Sequence, residues 1–310
     1  MAAPPTSSAT RPAALRRAFF GTDRLRAGWR VALFLAVMTL VGSAERFAVG
    51  AAHVRLPDDW TPLSLGLGEA FTLSAVLVAT AVLARLDRRS FRHFGIAWRE
   101  AFGARFWEGS AWGLATVALL VGAIAALGGY EVRGLAYHGP ALVRMTAGWL
   151  VAMALIGLAE ETWFRGYPLA ALTEGIGFWP AAILTSVVFG CIHYFLKPME
   201  NLADGLSVGL LGLFLCLTLR RTGNLWFAIG FHAAFDFAAL ALFGAPNTGN
   251  GGKPVPTRLL DSTFHGPDWL TGGVRGVEAS GLVFAAIALL FVLFHLRFRA
   301  NRFPMADGGV

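Results

Sequence analysis

Long apolar runs, each about the length of a bilayer-spanning helix, alternate with short polar segments along most of the chain. The runs predict eight helices: about Trp29–Gly50, Leu65–Leu83, Phe106–Leu127, a fourth starting near Leu142, Trp179–Phe195, Leu202–Leu219, Leu225–Phe243 and Val277–Leu296. A helix needs roughly 20 apolar residues to cross the hydrocarbon core, and most of these runs are that long. The first 14 residues, rich in Ala, Pro, Ser and Thr, contain no such run. The organisation expected is a disordered basic tail over 1–28, a membrane domain over 29–300 and a short tail over 301–310. No cleavable signal is evident, and no internal repeat is visible.

Composition agrees with this pattern. Hydrophobic residues make up 56% of the 310 positions and charged residues 15%, whereas soluble domains are about 25% charged. Mean hydropathy is +0.59. The expected fold class is therefore all-α, a polytopic integral membrane protein with about eight transmembrane helices.

The net charge of +7 has a topological explanation, so no nucleic-acid partner is expected. Six arginines lie in segment 1–30, and Arg85, Arg88, Arg89, Arg92, Arg99 and Arg105 fill the second-to-third loop. Arg220 and Arg221 lie in the sixth-to-seventh loop, and Arg297, Arg299 and Arg302 follow the last span. With eight spans, all of these fall on one side. Retention of positive loops on the cytoplasmic side then places both termini in the cytoplasm of a multi-pass cell-membrane protein. The longest loop on the other side, 244–275, is rich in Gly and Pro. Cys191 and Cys216 both lie in apolar runs and read as small buried side chains rather than a disulfide framework.

Ionisable residues inside a span are costly and usually functional, and the second half of the chain has three groups of them. Ala159-Glu160-Glu161-Thr162-Trp163-Phe164-Arg165-Gly166 interrupts an apolar stretch from Leu150 to Leu172. Glu161 and Arg165, four apart, share a helix face and can pair; Glu160 points about 100° away and is left free for chemistry. The alternative is a helix ending at Leu158 with the charges solvated. Phe189-Gly190-Cys191-Ile192-His193 closes the fifth span. His232-Ala233-Ala234-Phe235-Asp236 puts a His and an Asp on one face of the seventh, a pair that could equally glue helices together. Glu45, with Arg46 as a partner, and Glu69 lie near span boundaries and receive no role.

Depth provides a test. If the fourth helix stopped at Leu158, Glu160 would sit at the surface, while His193, 14 residues past Trp179, would lie roughly 21 Å deep at 1.5 Å per residue. The two could not meet. A shared site requires the fourth helix to continue, buried, through Glu160–Leu172.

The three groups, in this order and on separate helices, resemble the motifs of the CPBP (Abi) family, which includes type II CAAX prenyl endopeptidases and bacteriocin-processing or immunity proteins. The resemblance covers about 147–240, and Gly166 after Arg165 fits it as well. It implies a glutamate-dependent intramembrane endopeptidase that acts on membrane-associated peptides or proteins, with the bilayer as its other partner. Carried over by motif position, Glu160 and His193 activate water, His232 and Asp236 stabilise the oxyanion, and Glu161 and Arg165 hold the site in shape. Asp236 stands where the family often has Asn; an ionised Asp cannot donate to an oxyanion, so orienting His232 is its other available role. No cofactor is implied with certainty. The family is often labelled metalloprotease, which leaves a divalent metal such as zinc open, although the chain lacks a His-Glu-x-x-His pair. Two non-protease readings remain, a non-catalytic immunity or scaffold protein of the same family and a proton-coupled transporter.

Overall fold

A computed structural model describes residues 19, 21, 24–57 and 59–303. Most of the predicted N-terminal tail and residues 304–310 of the C-terminal tail lie outside the described residues. The spanning helices are α1 (Ala27–Ala51), α2 (Pro62–Asp87), α3 (Ala104–Ala126) and α4 (Gly139–Glu161), which continues through a π turn (Thr162–Gly166) into α5 (Tyr167–Ile176). Then follow α6 (Phe178–Leu196), α7 (Leu202–Thr222) and α8 (Trp226–Asp236), the last running on as a second π turn (Phe237–Leu242). After a one-turn helix α9 (Asp268–Thr271), α10 (Leu282–Arg297) closes the chain.

Six helical segments are long and apolar enough to cross a membrane, and two shorter apolar helices, Trp226–Leu242 and Leu282–Arg297, complete the set. The protein is thus an all-α, multi-pass membrane protein. The eighth helix starts at Leu282, not near Val277, because Val277–Ala279 forms a 3-10 turn between Gly276 and Ser280. Cys216 is buried as expected, but Cys191 is exposed on α6.

Local chemistry explains the helix ends. Thr61 caps α2 by accepting from the Ser64 backbone N–H, Pro62 opens the helix, and the Ser64 hydroxyl returns a bond to the cap. Asn201 caps α7 in the same reciprocal way with Asp204, and α7 stops at Gly223 in the left-handed region (φ 82°). Each arrangement satisfies backbone donors that the first turn leaves unpaired.

The arginine-rich end is tied together by ions. Arg30 of α1 donates to Glu174 of α5 (2.6 Å) and to the Tyr167 hydroxyl (3.1 Å), and Tyr167 donates to Asp87 of α2 (2.8 Å). The opposite end is covered by a cap. Strands β1 (Tyr130–Leu135) and β2 (Leu260–Phe264) pair antiparallel, with an irregularity between Val132 and Gly134. They anchor the 244–281 segment, which sequence pattern had suggested only as a Gly/Pro-rich loop. Thr248 donates to Glu200 (2.6 Å) and Arg275 pairs with Asp204 (3.2 Å), so the cap is fastened over the junction of α6 and α7.

The core is packed backbone against backbone. A Cβ on Gly109 or Gly113 of α3 would fall 2.1–2.2 Å from the carbonyl oxygens of Phe227 and Phe231, and one on Gly230 would fall 2.0 Å from that of Phe106. Only glycine lets α3 and α8 approach this closely, the usual route to tight helix pairing where no hydrophobic effect drives association. That contact fixes α8, and with it His232 and Asp236.

Candidate active site

The fourth helix does not end at Leu158. It stays helical to Glu161, passes through the π turn and continues to Ile176. Glu161, Thr162 and residues 164–171 are all buried. The condition that depth imposed on a shared site is met.

The break falls four residues after Glu161 for a covalent reason. Pro168 has no N–H to give to the carbonyl at position 164, and its ring crowds that turn. Gly166 leaves helical geometry altogether (φ −80°, ψ −119°). A straight helix of 38 residues would be about 57 Å long, well beyond a hydrocarbon core of about 30 Å; the break divides it. The second π turn begins directly after Asp236. One π turn thus carries Arg165 of the first motif and the other follows Asp236 of the last, and such turns are frequent at functional sites.

Glu161 and Arg165 pair at 3.0 Å with both side chains fully buried, while the neighbouring Glu160 side chain is 24% exposed. The helix thus sends one carboxylate inward to the arginine and the other into a cavity, as the 100° separation predicts. Arg165 also lies 4.5 Å over the Phe189 ring, an attractive cation–π placement. Its guanidinium occupies space left open by Gly212, where a Cβ would stand 2.4 Å from Nη2.

His232 is held from two sides. Its Nδ1 lies 2.8 Å from Glu161 Oε1; its Nε2 lies 3.4 Å from Asp236 Oδ2 and 3.8 Å from Glu160 Oε2. Arg165, Glu161 and His232 therefore form a continuous polar chain from the buried interior to the cavity wall. On α6, His193 Nδ1 donates to the Phe189 carbonyl (3.0 Å). A carbonyl can only accept, so the neutral ring keeps its lone pair on Nε2. His193 and Glu160 make no hydrogen bond to each other, but both line one cavity.

That cavity has a volume of about 250 Å³ and brings together Glu160, His193, His232 and Asp236 from three helices. Sequence reasoning missed the rest of its wall. Glu69 of α2, Lys197 at the end of α6, and Glu278, Asn247 and Trp60 from the cap side also line it. Lys197 was discoverable, since Phe189, His193 and Lys197 are each four apart and share a helix face. The loop residues carried no comparable signal. Outside the membrane spans, burial pushes the Glu278 carboxyl up to about 7 and also pushes Glu200 up. Glu45 joins no site. It accepts from Ser74, and Arg46, its suggested partner, donates to Ser43 instead.

Among the described residues no group of three or more His, Cys, Asp or Glu is arranged to hold a metal ion. The donors that could do so are turned toward one another: His232 toward three carboxylates, and His193 Nδ1 toward its own helix.

Residues 142–238 match a family model described as Rce1-like, type II CAAX prenyl endopeptidase Rce1-like. All three polar motifs lie within the matched segment. The match supports the CAAX-protease-like family that those motifs resemble, and it agrees with the class set by the fold, a multi-pass helical membrane protein. No curated protein and no solved structure matches the chain.

Proposed function

We propose that the protein is an intramembrane endopeptidase that hydrolyses peptide bonds of membrane-associated peptides or proteins, with Glu160 as general base. The observation that carries this reading is the convergence of Glu160, His193, His232 and Asp236 on one cavity within the helical bundle.

In this mechanism a water bound between Glu160 and His193 gives one proton to the Glu160 carboxylate and directs its other O–H at His193 Nε2. Its oxygen attacks the carbonyl carbon, and the carbonyl electrons move onto oxygen. His232 has committed Nδ1 to Glu161, so Nε2 is the nitrogen that can donate to the oxyanion. Collapse breaks the C–N bond, and the proton held on Glu160 passes to the leaving amine. Asp236, 3.4 Å from His232 Nε2, orients the ring, the role open to an ionised carboxylate at this position. Positioned acid–base groups of this kind supply about 10²–10⁴-fold, and donors preorganised for an oxyanion a comparable factor. No step requires a metal.

The test uses the purified chain in nanodiscs with membrane-anchored fluorogenic peptides, with products identified by mass spectrometry. Peptide cleavage that survives a chelator and is lost in Glu160→Ala is expected. Cleavage unchanged in Glu160→Ala would overturn the assignment. Placement in the cell membrane with both termini cytoplasmic is part of the same proposal, supported by the arginine-rich end.

A further inference from the structure

Glu69 has no part in the mechanism above, yet it lines the same cavity. Its Oε2 atom is buried and has no hydrogen-bond partner. Glu160, His232 and Asp236 stand on the wall of the same cavity. Two of these are carboxylates, and the third is already engaged by Glu161 and Asp236.

Three acidic groups near it each have a cation in an ion pair. Glu161 has Arg165 at 3.0 Å, and Asp236 has His232 at 3.4 Å. His232 also lies 3.8 Å from Glu160. Among the described residues Glu69 makes no such ion pair, and its Oε2 is left without a partner. An unpaired buried carboxylate is costly, and a carboxylate facing a binding cavity can recover that cost when a ligand supplies the positive charge.

Its position relative to Glu160 follows from helix packing. A Cβ on Gly148 of α4 would meet Pro62 at 3.1 Å, and one on Gly66 of α2 would lie 3.9 Å from the Ala152 Cα. Helices α2 and α4 therefore run side by side in the same direction, with 62 beside 148 and 66 beside 152. Continuing that alignment brings Glu69 level with Leu155, next to Ile156, which also lines the cavity. That is five residues of helix, about 7.5 Å, on the cap side of Glu160. An extended peptide advances about 3.3 Å per residue, so Glu69 reaches a side chain about two residues from the bond that Glu160 attacks.

We infer that Glu69 is a specificity residue that selects substrates carrying a positively charged side chain, lysine or arginine, within two residues of the scissile bond. This rests on the proposed endopeptidase site, but its test can be read separately. The full chain in nanodiscs is given peptides identical except for Lys, norleucine or Asp at each position within two residues of the scissile bond. Cleavage is followed on ordinary peptides. Binding is followed by fluorescence anisotropy on N-methylated, uncleavable versions.

At the responsive position the wild type is expected to bind and cleave the Lys peptide about tenfold better than the norleucine peptide, the scale of one hydrogen bond to a charged group. Glu69→Gln removes that preference while leaving norleucine cleavage within about twofold, and Glu69→Lys shifts it toward the Asp peptide. Equal binding of Lys and norleucine peptides at every position would overturn the inference. So would a Glu69→Gln variant that weakens both peptides equally, the mark of a structural role. Absence of cleavage with the binding preference intact would count against the endopeptidase reading alone.

Discussion

His232 Nδ1 lies 2.8 Å from Glu161 Oε1, a carboxylate that Arg165 holds at 3.0 Å in full burial. Three residues from two helices thus act as one support, and the buried pair Glu161 and Arg165 reaches the cavity only through the imidazole. Removing one partner of a buried ion pair strands the other and costs about 3–5 kcal/mol. Arg165→Met should therefore lower the thermal melting point in nanodiscs sharply and lower cleavage with it. Glu161→Gln, which keeps an acceptor for the imidazole, should melt higher than Arg165→Met and retain more activity.

Gly212 is the space into which Arg165 fits. A methyl there would stand 2.4 Å from Nη2, and overpacking of this kind costs about 1–3 kcal/mol. Gly212→Ala should lose stability on that scale and cleave at least about tenfold more slowly as the support under His232 shifts. Gly122→Ala, whose Cβ would meet nothing within 4 Å, should melt within a degree or two of wild type. Both are read by melting and cleavage assays in parallel.

At position 236, Asp236→Asn keeps an oxygen acceptor near His232 Nε2 and adds an amide donor. It should keep cleavage within about tenfold of wild type. Asp236→Ala removes the group that flanks the ring and should lose about 10²-fold. Steady-state rates at saturating peptide check both.

Glu278 lies between α9 and α10, outside the spans, and burial raises its carboxyl to about 7. A carboxyl whose folded pKa is raised binds more protons in the folded than in the unfolded protein between about 4.5 and 7. Stability therefore falls as pH rises through that window and then levels off. Melting temperature against pH should show a shallower decline in Glu278→Gln than in wild type across this range. Parallel curves would remove Glu278 as the cause.

The helices were legible in the sequence because an apolar run of bilayer length has few other readings, and arginine placement gave an independent check on their number. The three motifs were legible because helical spacing alone puts Glu161 with Arg165 and His232 with Asp236. The continuation of α4 through two carboxylates was legible only as a condition, since charges at a helix end look the same in sequence as charges in a cavity. The cap was not legible: β1 and β2 pair across more than a hundred residues, and their side chains follow no alternation that would mark a strand. Glu69 was visible as an acid near a span, but its place beside Leu155 depends on how α2 packs against α4, which no local pattern encodes.

The central claim rests on Glu160. Its carboxylate faces the cavity and makes no buried ion pair with Arg165, so Glu160→Gln should fold and melt like wild type. The most direct measurement is the cleavage rate of membrane-anchored peptides by wild type and Glu160→Gln in matched nanodiscs, with melting recorded on the same samples. A loss of at least about 10²-fold in rate at unchanged melting temperature is the predicted result. Equal rates in the two proteins would contradict the account.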